Sequence, residues 1–262
     1  MKMNHSFEHL HVEIEDQICS ITLDRPPVNA LSTGLVAELR RCCELVENDD
    51  SLRCIILTNR GDVFSASADL KERKSMNDAE VRQFLVNIRD CFFRWYSMKI
   101  PTICAMIGGA FGGGLELALM CDFRYLDENA EVGFPETRLA IIPGAGGTQR
   151  LPRLIGETRA LEWILTGKRF SASEARKDGV VSEITAREKV LEKSMELAEK
   201  IREAAPMAVV QAKQAIKDGL KLDYSSALRF ETECYNVTIP TEDRKEALDA
   251  FAEKRTPEWK GK

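Results

Sequence analysis

The run GGAFGGGLELALMCD (108–122) sets three consecutive glycines, Gly112, Gly113 and Gly114, one residue ahead of Glu116 and an apolar helical stretch. A helix start leaves backbone N–H groups without intrahelical partners, and the helix dipole draws negative charge to that end. Glycine there lets a substrate carbonyl approach an N–H closely, which is the arrangement of an oxyanion hole. A thioester carbonyl that becomes enolate-like in its transition state would use two such donors, each lowering the barrier by about 3 kcal/mol. Gly113 supplies one candidate N–H. The other candidate lies in FSASADLK (64–71), which follows the apolar strand Cys54–Leu57 and in which Ala68 is small enough to leave its N–H open. Glu116 alone could be helix-start decoration, because a carboxylate in the first turn suits the dipole. Glu136, in FPET (134–137), adds a second carboxylate. Two glutamates beside one oxyanion site can divide acid and base duties once their environments push their pKa values apart.

Other chemistries find little support. Neither GGAFGGGLEL nor PGAGGTQR gives G-x-x-x-x-G-K-S/T, or G-x-G-x-x-G at a strand-to-helix turn, so phosphate cradling of the P-loop kind is excluded. All three histidines, His5, His9 and His11, fall in the first eleven residues, far from the glycine-rich segments, and read as a solvated strand. Adjacent Cys42 and Cys43 lack zinc-ligand spacing, and no metal is predicted. The eight cysteines sit mostly in apolar runs without a C-x-x-C pair, as small buried hydrophobes of a reducing compartment do. Net charge is −5, from 37 basic and 42 acidic residues, and the basic ones are scattered, so no nucleic-acid footprint is expected. The first residues are polar and acidic, unlike a secretory or mitochondrial leader, and no apolar run approaches a membrane span. A cytoplasmic location with no membrane partner is expected.

The elements that must position these residues follow from periodicity. Val12 and Ile14, then Ile18, Cys19, Ile21 and Leu23, predict an antiparallel hairpin around Glu15-Asp16. Ser32 reads as the N-cap of a helix with Leu35, Val36, Leu39 and Val46 on one face. Cys54–Leu57 is a buried strand, 78–97 a helix and Thr102–Ile107 another buried strand, so the core is α/β. Beyond Gly156 the pattern becomes helical, over Thr158–Thr166, Ser171–Lys177, Ala186–Ala204, Pro206–Gly219 and Tyr224–Ala252, with no strand expected longer than Val180-Val181-Ser182. No linker separates the parts, and tight packing is expected.

Together FSASADLKE (64–72), GGAFGGGLELALMCD and GFPETRLAIIPGAGGTQRLPRLIG (133–156) resemble the enoyl-CoA hydratase/isomerase, or crotonase, family. The resemblance runs from ITLDRPPVNAL (21–31) to AFAEKRTPEW (250–259), and ETRLAIIPGAGGTQRLPR is especially like the methylglutaconyl-CoA hydratase branch. It implies a crotonase-like α/β fold: a core of repeated ββα turns over residues 1–200, then a helical region, 201–262, that trimerises, commonly as a dimer of trimers. It implies an oxyanion hole from the N–H groups of Ala68 and Gly113. Glu116 and Glu136 match the two catalytic glutamates, Glu116 drawing the proton from water and Glu136 delivering one to the α-carbon. Ala66, Ala68, Asp69, Leu70 and Lys71 match the segment that wraps coenzyme A, and Phe251 and Lys254 match positions reaching its nucleotide from a neighbouring subunit. No separate cofactor is implied, because coenzyme A is part of the substrate.

The family's loop most often reads A-G-A-D, and here Ser67 replaces that glycine. A positive φ at this position would strain a serine by about 1 kcal/mol. The activity implied is hydration of a 2-enoyl-CoA to the 3-hydroxyacyl-CoA, in β-oxidation or in branched-chain acid breakdown, with 3-methylglutaconyl-CoA one candidate substrate. Isomerising members of the family usually lack one of the two glutamates. Some relatives bind RNA, but the helix from Ser32 to Asn48 sets Arg40 and Arg41 against Glu38, Glu44 and Glu47, which is no basic comb. The helix around Asp78–Tyr96 is expected to line the acyl pocket.

Overall fold

The computed structural model describes residues 7–262, so His5 lies outside the described residues. The hairpin forms as predicted: β1 (Leu10–Glu15) runs antiparallel to β2 (Ile18–Leu23), with Val12 opposite Ile21. The connecting Asp16 and Gln17 both have positive φ, the two-residue turn whose twist matches paired strands. Ser32 caps α1 (Thr33–Glu47) through Oγ, which accepts from Leu35 N–H, and Leu35, Val36, Leu39, Cys42, Cys43 and Val46 form its buried stripe. The chain continues through β3 (Cys54–Asn59), β4 (Val63–Ser65), α2 (Leu70–Ser75), α3 (Asp78–Ser97), β5 (Thr102–Met106), β6 (Gly109–Phe111), α4 (Gly113–Met120), β7 (Phe123–Asp127) and β8 (Glu131–Gly133). After a 3₁₀ turn, Pro135–Leu139, come α5 (Gly147–Ile155), α6 (Glu157–Leu165), β9 (Arg169–Ser171), α7 (Ala172–Asp178) and β10 (Glu183–Thr185). The last helices are α8 (Val190–Arg202), α9 (Pro206–Gly219), α10 (Tyr224–Thr238) and α11 (Glu242–Glu253).

From β3 to β8 successive strands alternate between two sheets. The larger has the order β1-β2-β3-β5-β7-β10 and is parallel from β2 onward; the smaller has the order β4-β6-β8-β9, with β4, β6 and β8 parallel. One long strand, one short strand and a helical segment recur three times after the hairpin, which is the ββα repetition the resemblance implies. Alternation along each long strand fills two cores. Ile55, Leu57, Cys104 and Met106 join the main core beneath α1, α3 and α4. Cys54, Ile56, Ile103 and Ala105 face Val190 and Ala198 of α8 on the other side. The eight cysteines are unpaired and buried, as their apolar settings predict.

Two sequence expectations are corrected. The segment Tyr224–Ala252 is two helices, because Pro240 cannot continue one and Thr241 caps the next through its hydroxyl, which accepts from Arg244 N–H. Val180-Val181-Ser182 is not a strand: Gly179, at φ +86°, closes α7, and the N–H groups of Val180 and Val181 both fold back onto the Ala175 carbonyl. The two valines are core plugs, and the strand begins only at Glu183. The C-terminal helices are tied to the core by Asp122, which pairs with Lys213 and Lys217 of α9, each at 2.6 Å. Among the described residues no helix is long and apolar enough to cross a membrane.

Candidate active site

The smaller sheet explains why residues far apart in sequence meet. Parallel β4, β6 and β8 are neighbours, and each hands the chain from its carboxyl end into a loop or helix start. Ligands of parallel sheets gather at such ends. The turn after β4 carries Ala66–Asp69, the turn after β6 carries Gly112–Glu116, and the 3₁₀ turn after β8 carries Glu136.

The first loop is braced from the N-terminal segment. Ala66 N–H bonds to Val28 O at 3.0 Å, and Ser65 Oγ to Asn29 O at 2.8 Å. Leu31 forms a parallel bridge to Ala68, donating to Ser67 O and accepting from Asp69 N–H. In that pattern the neighbours of Ala68 make both bonds, so its own N–H faces away from Leu31; it has no hydrogen-bond partner among the described residues. Asp69 caps α2 through Lys71 and Glu72 N–H and pairs with Arg25 at 2.7 Å, which holds the loop in place and depresses its pKa. Leu70 and Lys71 are exposed on the next turn.

The three glycines have separate uses. Gly112, at φ +50°, makes the turn into α4, and a Cβ on it would run into Ser67 Oγ and lie 2.6 Å from Glu136 Oε1. Gly113 is the first residue of α4, where an N–H lacks an intrahelical acceptor. Gly114 lets α4 press on β4, since a Cβ would sit 2.5 Å from Ser65 O. A Cβ on Gly113 would be 3.9 Å from both Ala68 N and Glu116 Oε2, so the two candidate donors and the first glutamate share one space.

Every residue of α4 is buried, Glu116 included at 3% exposure. Its Oε1 accepts from Ala145 N–H at 2.8 Å and Gly147 N–H at 2.7 Å, so the carboxylate seats on the start of α5 as well as in the first turn of α4. Burial pushes its pKa up, opposed by the backbone N–H groups of Gly147, Ala145 and Gly144. Glu136, 5% exposed, has only its own backbone N–H to oppose burial, and its buried Oε2 has no partner among the described residues. Burial, with Glu116 nearby, raises its pKa to about 7. The environments are therefore unequal, one carboxyl held by amides and the other left to keep its proton.

Sequence reasoning did not single out the amides of Ala145 and Gly147 or the seat they form for Glu116. The signal was PGAGGTQR, a second glycine-rich helix start, set aside once it failed the phosphate templates. α3 reaches the same loop through Leu85, whose Cδ2 would lie 2.9 Å from a Cβ on Gly144. Phe251 and Lys254 stand at the exposed end of α11, where this single chain gives them no place in the site. Ser67 does take the positive φ that favours glycine, +89°. Ser67→Gly is expected to be more stable than Ser67→Ala, which loses the same hydroxyl but keeps the strained Cβ, by about 1 kcal/mol, read from the urea unfolding midpoints; equal midpoints would mean the loop holds a side chain there without strain.

The sequence profile of the enoyl-CoA hydratase/isomerase family matches residues 13–262. An enoyl-CoA isomerase/hydratase of Mycosarcoma maydis, fer4, is 42% identical over 252 residues, 92% of this chain and 92% of the relative. The human mitochondrial methylglutaconyl-CoA hydratase is 41% identical over 238 residues, 89% of this chain and 70% of that one. The crystal structure of an enoyl-CoA hydratase from Bacillus anthracis superposes with a TM-score of 0.95 at 44% identity, covering 97% of this chain and all of the other.

Proposed function

Since the chain belongs to the enoyl-CoA hydratase/isomerase family, we propose that it adds water across the 2,3-double bond of a 2-enoyl-CoA to give the 3-hydroxyacyl-CoA. The observation that carries this reading is the unequal pair of buried glutamates beside the neighbouring backbone N–H groups of Ala68 and Gly113. Ala68 and Gly113 N–H receive the thioester oxygen and stabilise the enolate-like transition state. Glu116 takes a proton from water as its oxygen attacks C3. Glu136, whose pKa is raised to about 7, gives its proton to C2 from its protonated form. The product leaves Glu116 protonated and Glu136 ionised, and exchange with solvent restores both.

Hydration is favoured over isomerisation because both carboxyls are present and differently held. Straight-chain and branched substrates both fit this chemistry, and the likeness to a methylglutaconyl-CoA hydratase makes 3-methylglutaconyl-CoA the first branched candidate. The helical region from residue 201 serves trimer formation, either as a homotrimer or as a dimer of trimers. Leu220 (84% exposed), Tyr224 (80%) and Phe251 (86%) support that assignment as apolar surface in want of a partner. In the trimer, Phe251 and Lys254 reach a neighbour's coenzyme A, while Ala66, Asp69, Leu70 and Lys71 line the near side of the same ligand. An RNA-associated role draws no support from α1, where Arg40 pairs with Glu44 and Arg41 stacks on Phe7.

The test follows loss of enoyl-thioester absorbance with crotonyl-CoA and 3-methylglutaconyl-CoA across pH. kcat/KM is expected to fall as pH rises through about 7, because Glu136 must hold its proton. It is also expected to fall on the acid side, above the ordinary carboxylate range, because Glu116 must be ionised. A rate that climbs steadily through neutrality would reverse the assigned roles.

A further inference from the structure

Ser67 precedes one donor of the oxyanion site in sequence and touches the other in space. Its left-handed φ, +89°, turns the side chain toward α4, and Oγ accepts from Gly113 N–H at 3.2 Å. The same Oγ crowds the point above Gly112 that Glu136 Oε1 approaches to 2.6 Å. The hydroxyl therefore stands where the acyl oxygen would be received, next to the carboxyl that serves the α-carbon. Of the two donors, Ala68 N–H is open and Gly113 N–H is already engaged.

We infer that the Ser67 hydroxyl is a resident acceptor in the oxyanion hole, displaced by the thioester oxygen on binding, and that Ser67 thereby sets the affinity for acyl thioesters. The inference rests on the oxyanion reading of Ala68 and Gly113. An incoming oxygen bonding to Gly113 N–H must take the direction Oγ now occupies, so the two exclude each other. Serine yields by rotating about χ1 to another staggered position. Binding thus exchanges one N–H···O bond for another at this donor, where an unoccupied N–H would gain one. A single net hydrogen bond corresponds to about three- to tenfold in a dissociation constant. The change falls on KM, because the hydroxyl leaves before the chemistry begins.

The experiment compares the full-length wild type with Ser67→Ala and Ser67→Gly by calorimetric titration with butyryl-CoA, a saturated thioester that cannot be hydrated, and with free coenzyme A, which has no acyl oxygen. Both variants are expected to bind butyryl-CoA about three- to tenfold more tightly than the wild type while binding coenzyme A equally well, and to show a KM for crotonyl-CoA lowered by a similar factor. Equal butyryl-CoA affinities overturn the inference. So does weaker binding by Ser67→Ala, which would make the hydroxyl a donor to substrate, and so does a gain confined to Ser67→Gly, which would trace to the backbone. A wild type that binds butyryl-CoA but hydrates no enoyl thioester would refute the proposed function, and the thioester-against-coenzyme comparison would still decide Ser67. Failure of all three proteins to bind butyryl-CoA would overturn both.

Discussion

Glu136→Gln is expected to lower kcat for crotonyl-CoA hydration by about 10²–10⁴-fold, with the near-ultraviolet circular dichroism of the wild type retained. The amide has the shape of the carboxyl but no proton to give C2. Folding should tolerate it, because Oε2 has no partner to lose and the carboxyl is already disposed to be neutral. Glu116→Gln should lose activity on a similar scale for the opposite reason. Its amide oxygen can still accept from Ala145 and Gly147 N–H, yet the group no longer takes a proton from water. The pH profile separates the two: residual activity of Glu136→Gln should lose the fall near pH 7, and that of Glu116→Gln should lose the acid-side fall. Wild-type turnover in either variant would remove that glutamate from the mechanism.

Gly113→Pro is expected to reduce kcat by about 10²–10³-fold, the usual effect of removing one oxyanion donor. Proline deletes the N–H and its hydrogen bond to Ser67 Oγ but no bond of the helix itself, because the first helical position has no intrahelical acceptor for it and suits a fixed φ. The added ring meets Leu31 Cδ1, 3.0 Å from where a Cβ would stand, and that methyl is the end of a flexible side chain. The remaining activity would belong to Ala68 N–H. Unimpaired kcat in a variant shown to be folded would rule out Gly113 as a donor.

Much of this site was legible because each part obeys a local rule. Ser32 before an apolar stripe marked α1, and alternating apolar residues marked the hairpin. Glycines before Glu116 marked a helix start meant for close approach. Placing Glu136 beside that start depended on the resemblance, since nothing local in FPET says that β8 lies next to β6. The seat of Glu116 on Ala145 and Gly147 was hidden for the same reason: it is built by backbone amides 29 and 31 residues away, which no side-chain pattern reports. At Ser67 the identity of the residue was visible, but only the fold fixes the sign of its φ and so turns its hydroxyl onto Gly113. The break at Pro240 was in plain view, and helical periodicity on both sides of it concealed the end of one helix and the start of another.

In the proposed reaction, two unequal glutamates add water to an enoyl thioester held by Ala68 and Gly113. The most direct measurement is the fate of crotonyl-CoA incubated with the wild-type protein in deuterated water, with the product analysed by mass spectrometry and proton NMR. The expected product is 3-hydroxybutyryl-CoA carrying deuterium at C2, formed with loss of the enoyl absorbance. Migration of the double bond without uptake of water, or no reaction with crotonyl-CoA and 3-methylglutaconyl-CoA alike, would contradict the proposed reaction.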